Sequence, residues 1–232
     1  MAMFKYIVEF SKTGTICYTS HLDLMRVFKR MFKKAGIRQS YSQGFNPHPK
    51  MGFAQPLSLG YEGLQEYLEF ETEEDYLPEQ LLQIMQDLAP DGLDIKRCDR
   101  LEGLKKTLAA ITDAAVYKIR IPLPEGLEHP EREDVWIDDY LAQEQIITLK
   151  KQKKKKELKE IDIKPMIRQL SAELEHTADA EETLCITAEL DSGSISNLSP
   201  ELVITTFLQY WKLDQIERSE VSVQRAKIIF DK

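Results

Sequence analysis

Between His21 and Lys50 the chain gathers side chains that can do chemistry. His21 and His48 are two of only four histidines in the sequence. With Asp23 they are the types that transfer protons near neutral pH, or ligate a metal. They come from separate elements and match no short metal motif, so the leading reading assigns no metal and no catalytic residue here. A binding role suits the residues better. The run from Tyr41 to Lys50 sets Tyr41, Ser42, Gln43, Asn46, His48 and Lys50 among Gly44, Pro47 and Pro49. Prolines fix φ, so such a loop holds polar groups in defined positions. At the front of the segment, His21, Asp23 and Arg26 begin a helix, where free backbone N–H groups favour anions. The site residues expected for a ligand or partner are His21, Asp23, Arg26, Arg30, Tyr41, Ser42, Gln43, Asn46, His48 and Lys50.

Charge points to the same stretch. Arg26, Lys29, Arg30, Lys33, Lys34, Arg38 and Lys50 face a single acid, Asp23, giving a local charge of about +6 on a chain whose formal net charge is −8. A basic stripe on an acidic protein suggests a directed site for an anionic ligand or partner. The lysine run Lys150–Lys159 is a weaker nucleic-acid signal, since lysines give charge without stacking. It reads equally well as a guard against sheet-to-sheet association. No phosphate-binding glycine loop, dinucleotide fingerprint, GxSxG or HExxH is present.

The elements that must position these residues follow from periodicity. Phe4–Phe10 alternates as a strand. Leu24, Met25, Phe28, Met31, Phe32 and Ala35 recur at helical spacing, with Ser20 as N-cap, Asp23 as the carboxylate partner of a capping box, and Gly36 as the C′ residue. Tyr41–Ala54 is irregular. Strand-like runs follow at Phe53–Leu59 and Glu66–Glu71, then a helix from Pro78 through Leu88 and a strand at Leu93–Cys98. The order is β-α-β-β-α-β, the ferredoxin-like arrangement. The second half repeats it: a strand at Ala114–Ile121, a helix at Glu133–Gln143, a strand pair at Ile146–Leu149 and Leu158–Ile163, a strand at Thr183–Leu190, a helix at Pro200–Tyr210 and a strand at Val221–Phe230. The expected fold is α+β with two tandem ferredoxin-like subdomains, residues 1–105 and 106–232. A helix of 16 residues spans about 24 Å. A strand at Ile37–Gly44 would retrace that length at about 3.3 Å per residue and set Asn46 or His48 beside His21, Asp23 or Arg26.

Apolar content of 42% and charged content of 30% are those of a globular chain. No apolar run approaches the roughly 20 residues of a membrane helix, and the N-terminus has no cleavable-signal layout. Cys17, Cys98 and Cys185 are few and scattered, which fits a reducing compartment. The expectation is a soluble cytoplasmic protein with no membrane partner.

The strings CYTSHLDLMRVFKRMFKKAG, YSQGFNPHPKMGFAQPLSLG and GLQEYLEFE, with the later IDIKPMI and SNLSPELVI, resemble the radical-SAM-linked proteins, the domain of unknown function 2344 family. The resemblance spans most of the chain. It implies a partner, a radical SAM protein beside or fused to the family's members, and a setting near ribonuclease E/G-type enzymes and ribosomal proteins. This chain has no CxxxCxxC and corresponds to the stand-alone form, with no cofactor of its own. The family carries over no reaction, only the motif positions His21, Asp23, Arg26, Tyr41, Ser42, Gln43, Gly44, Asn46, Pro47, His48 and Pro49. Three readings follow: an accessory protein presenting a radical SAM enzyme's substrate in RNA- or ribosome-related modification; an RNA-binding module acting without the enzyme; and an independent enzyme using His21, Asp23 and His48.

Overall fold

The computed structural model describes residues 3–103, 106–130, 132–151, 158–176 and 182–231. It is a mixed α+β protein with a large, mostly antiparallel sheet and few helices. The chain divides into two compact units. One is Met1–Asp113 together with Arg225–Lys232, the other Ala114–Gln224. Among the described residues, no helix is long and apolar enough to cross a membrane.

The first unit runs β1 (Phe4–Lys12), a 3-10 turn (Gly14–Tyr18), α1 (His21–Lys34), β2 (Met51–Phe53), β3 (Glu62–Thr72), α2 (Pro78–Leu88), β4 (Leu93–Arg100) and a one-turn α3 (Leu108–Ile111). Its strands lie in the order β4-β1-β3, with β2 on β3's far side and every pairing antiparallel. Alternation sorts the side chains between two faces. Tyr6, Val8 and Phe10 of β1 and Leu68 and Phe70 of β3 turn to a core with Leu24, Phe28, Met31 and Phe32 of α1 and Leu81 and Met85 of α2. The opposite face carries Ile7 and Tyr67, which pack with Leu108 and Ile111 of α3.

Helix α1 forms as its spacing requires. The Ser20 hydroxyl accepts the Asp23 N–H at 3.2 Å and donates to the Asp23 carboxylate at 2.7 Å. Gly36, at φ 71°, takes the left-handed turn that a side chain would oppose. The strand expected at Phe53–Leu59 is instead the three residues of β2, and the chain from Ala54 to Gly60 is irregular. Pro56 has no N–H for a ladder, and the Gln55 and Pro56 carbonyls accept from Arg225.

In the second unit come β5 (Thr112–Leu123, entering from the first), α4 (Glu133–Ala142), β6 (Ile147–Lys151), β7 (Leu158–Asp162), β8 (Ile167–His176), β9 (Glu182–Asp191), α5 (Pro200–Tyr210) and β10 (Ser222–Phe230, leaving for the first). β9 pairs antiparallel with β5 on one side and β8 on the other. β6 and β7 form a separate hairpin, and residues 152–157 of the lysine run lie outside the described residues. The strand that precedes β9 in the sheet is therefore β8, not the β6–β7 pair. The sequence reading assigns no strand there, although Leu170, Ala172 and Leu174 alternate with the exposed Ser171 and Glu173. Helices α4 and α5 meet through Trp136, Tyr140 and Phe207, with the Tyr140 hydroxyl 2.7 Å from that of Thr206.

Candidate functional site

The loop after α1 is built from its own backbone. Tyr41 bridges Pro49. The Ser42 N–H donates to the His48 carbonyl at 2.8 Å, and the His48 N–H donates to the Ser42 hydroxyl at 3.0 Å. The stem is tied to β3: Ser40 N–H donates to the Glu71 carbonyl, Lys50 N–H to the Ser40 carbonyl, and the Lys50 ammonium to the Glu71 carboxylate, each at 2.8–2.9 Å. With the backbone closed in this way the side chains point outward. Tyr41, Gln43, Asn46 and His48 are exposed, and Phe45 at the tip is fully so.

The start of α1 is a different environment. His21, its first residue, sets its ring on Phe53 of β2 with centroids 5.2 Å apart. It lines a cavity with Phe10, Lys12, Leu24, Phe53, Gln55, Leu57 and Glu66. Burial lowers the His21 pKa from its ordinary value and so disfavours the charged imidazolium. Asp23 is exposed and engaged locally. The Ser20 hydroxyl and then Arg26, whose guanidinium is 2.5 Å away, hold its carboxyl below the usual range. Arg26 and Arg30 are exposed on the outer face of α1.

Among the described residues, neither Asn46 nor His48 makes a side-chain hydrogen bond or ring contact with His21, Asp23 or Arg26. The chain after α1 does not run back as a long strand. Gln39 makes one bridge to Thr72, and the loop follows at once. The return is made afterwards by β2, whose Phe53 sits opposite Leu68. Phe53 is thus the residue that arrives at His21. The loop stem at Glu71 and Thr72 lies three to four residues further along β3, roughly 10–13 Å away.

Three charged residues absent from the expected site prove to be buried beside it. Arg225 holds Glu66 in a fork, at 2.7 and 2.5 Å, with both side chains nearly inaccessible. Lys12 is 1% exposed and donates to the Cys17 and Thr19 carbonyls at 2.9 Å each. One sequence signal could have flagged two of them. Lys12 shares the parity of Phe10, and Glu66 that of Leu68, so alternation alone aims both at the core. The opposite face of the sheet is acidic: Glu9 accepts from Gln65, and Glu69 pairs with Lys5 at 2.7 Å. Tyr67 on that face is pushed up to about 12 by burial and by Glu9.

The family model described as "uncharacterized protein conserved in bacteria" (DUF2344) matches residues 5–200. The chain belongs to that family. No curated protein matches this DUF2344 chain. Among solved structures, one titled "Crystal Structure of an Unknown Protein from Galdieria sulphuraria" is similar at 10% identity, covering 98% of this chain and 100% of that one with a TM-score of 0.29, too slight a likeness to bear on fold or function. Both motif strings that carry the family resemblance, around His21 and around Tyr41–Lys50, fall inside the matched region. Among the described residues of this DUF2344 protein, no group of three or more His, Cys, Asp and Glu could hold a metal ion. Its three cysteines are buried and free.

Proposed function

We propose that this DUF2344 protein is an accessory protein, without a reaction of its own, that presents the substrate of a radical SAM enzyme in an RNA- or ribosome-related modification pathway. The observation behind the accessory role is the loop Tyr41–Pro49. Its backbone is closed on itself while Tyr41, Gln43, Phe45, Asn46 and His48 face outward. A loop fixed from within keeps little conformational entropy to lose on association, which suits presentation better than chemistry. The radical SAM partner comes from the family resemblance. In the same reading each unit is a ferredoxin-like module. The support is the strand order β4-β1-β3-β2 in the first and the antiparallel run β5-β9-β8 in the second.

The test is co-purification of the full chain with a radical SAM protein from its own cells. Association is expected at about micromolar concentration, a free energy near 8 kcal/mol, and Phe45→Ser with Tyr41→Ser should weaken it at least tenfold. A pair that fails to associate, with or without RNA, would overturn the reading.

One observation favours a second reading, RNA binding without the enzyme. Exposed rings at Tyr41 and Phe45 follow closely on α1, whose Lys29, Arg30, Lys33 and Lys34 make no ion pair among the described residues. Rings for stacking beside cations for phosphates suit a single strand. The acidic sheet face of the first unit does not. Four cations on a single strand predict a log–log salt slope near −3. A flat salt response in filter binding would count against this reading.

A further inference from the structure

Two strands of the first unit present an edge, because each pairs with one strand only: β4 with β1, and β2 with β3. The sequence treats the two edges differently. Five of the eight residues of β4, Asp94, Lys96, Arg97, Asp99 and Arg100, are charged, the usual guard against further pairing. β2 is Met51, Gly52 and Phe53 and carries no charge. Its hydrogen bonds identify the spare groups. The Glu71 N–H donates to the Lys50 carbonyl at 2.9 Å, and the Ala54 N–H to the Tyr67 carbonyl at 3.0 Å. Bonded residues alternate along an antiparallel pair. Lys50, Gly52 and Ala54 therefore bond toward β3, while Met51 and Phe53 turn both N–H and C=O outward. Among the described residues those four groups have no hydrogen-bond partner. Unpaired backbone groups of this kind are a template on which another strand adds.

Gly52 stands in the middle of that edge without a local reason. Its φ is not positive, and a side-chain carbon there would meet no atom within 4 Å. Neither conformation nor packing calls for glycine, but a glycine within a strand also marks close approach by another backbone. A cavity of about 340 Å³ is lined by all three residues of β2 with Lys5, Lys50, Glu69 and Glu71. Met51 and Phe53 pack their side chains on the core, so they bring backbone to this space. The charges cancel, since Lys5 pairs with Glu69 at 2.7 Å and Lys50 with Glu71 at 2.9 Å. Glu69 is 8% exposed. Lys5 and the Leu108 N–H both bond its Oε2, and among the described residues its Oε1 has no partner.

We infer that the outer edge of β2 is a strand-addition site for an extended segment of a protein partner, with a tyrosine opposite Gly52. Register requires a large side chain there. Pairing through Met51 and Phe53 makes Gly52 and the residue opposite it a close, non-hydrogen-bonded pair whose side chains share one face. That side chain fills the space the glycine leaves, as an aromatic ring covers an edge glycine in designed sheets. A site of zero net charge favours a neutral group, and a phenol hydroxyl can donate to the open Glu69 oxygen. A second copy of β2, paired symmetrically, would set glycine against glycine and leave the cavity empty. The inference goes beyond the accessory reading, which rests on the loop Tyr41–Pro49, and is independent of which protein supplies the segment.

The test is titration of the isotope-labelled full chain with acetyl-lysyl-threonyl-tyrosyl-threonyl-lysyl-amide, followed by nuclear magnetic resonance. In the free chain the Met51 and Phe53 amides should exchange rapidly with solvent and that of Gly52 slowly. The probe should shift all three and slow exchange at Met51 and Phe53. N-methylation of both threonines removes the donors that pair with the Met51 and Phe53 carbonyls and should weaken binding about tenfold. Alanine in place of the tyrosine should also weaken it, about fivefold. Gly52→Leu fills the cavity, the fold should be kept because nothing lies within reach of the new Cβ, and the preference for tyrosine over alanine should vanish. No saturable shift up to about 5 mM, unchanged exchange at Met51 and Phe53, or equal affinity for the N-methylated or the alanyl probe would overturn the inference. Concentration-dependent shifts at Met51–Phe53 without the probe would overturn it too, assigning the edge to a second copy. If the probe fails and a radical SAM protein still co-purifies, only this site is refuted.

Discussion

Replacing Arg225 by methionine tests the part of the structure that is least local in sequence. Arg225 reaches Glu66 across 159 residues and also donates to the Pro56 and Gln55 carbonyls at 3.2 and 2.9 Å. The guanidinium is 1% and the carboxylate 5% exposed, so solvent does little to screen the pair. Removing one partner of such a pair leaves a buried carboxylate without a counter-charge, which costs about 3–5 kcal/mol. The two orphaned carbonyls act in the same direction. For a chain of this size, about 4 kcal/mol corresponds to roughly 8–16 °C in Tm. Thermal unfolding followed by far-ultraviolet circular dichroism measures the shift. Tryptophan fluorescence recorded alongside it isolates the second unit, because both tryptophans, Trp136 and Trp211, lie there. Arg225→Met combined with Glu66→Gln removes the stranded charge and should regain at least half of the loss. Arg225→Lys keeps the charge without the fork and should fall between. A shift under about 3 °C for Arg225→Met, below 1–2 kcal/mol, would refute the reasoning. So would a double variant in which the two losses simply add.

Three further outcomes are expected. Ser20→Ala removes the cap of α1 and should cost about 1 kcal/mol, read as roughly 2–4 °C in Tm; no change would mean that the Ser20–Asp23 contacts are dispensable. His129 holds its proton more tightly in the folded state, first through the Pro130 carbonyl and also through Glu182 at 2.8 Å. That stabilisation is complete below the ordinary histidine value near 6.5 and fades as pH rises through the raised one. The stability gap between the parent and Glu182→Gln, from urea titrations, should therefore be wider at about pH 6 than at about pH 8.5, and the opposite trend would reject the pair. Phe45→Ser should leave the unfolding free energy within about 0.5 kcal/mol, as for other exposed positions, while weakening association; a destabilised variant would show that the ring is packed rather than displayed.

The local elements were legible because their determinants are local. Leu24, Phe28, Met31 and Phe32 at helical spacing, the Ser20 cap and Gly36 specify α1 within one stretch of chain, and the structure has it at His21–Lys34. Alternation in Phe4–Phe10 and Ala114–Ile121, and Pro78 and Pro200 at helix starts, were equally readable. Irregularity in Tyr41–Lys50 was visible too, since prolines and Gly44 exclude a regular element there.

Tertiary structure decided what depends on residues far apart. β8 carries only a short alternation, Leu170, Ala172 and Leu174 against the exposed Ser171 and Glu173, and its place beside β9 was decided by backbone pairing. The return of Arg225–Lys232 to the first unit has no sequence signature, because strand partners are chosen by the pairing of backbones and not by any short motif. The same holds for the neighbourhood of His21. The sequence placed it among polar groups of its own segment, and the fold gave it Phe53, Lys12 and Glu66 instead. Whether a lysine in a strand meets water or a buried cavity depends on what covers that face of the sheet. For Lys12 the cover is the start of α1, and the charge that turns Glu66 away from it is supplied by Arg225, near the other end of the chain.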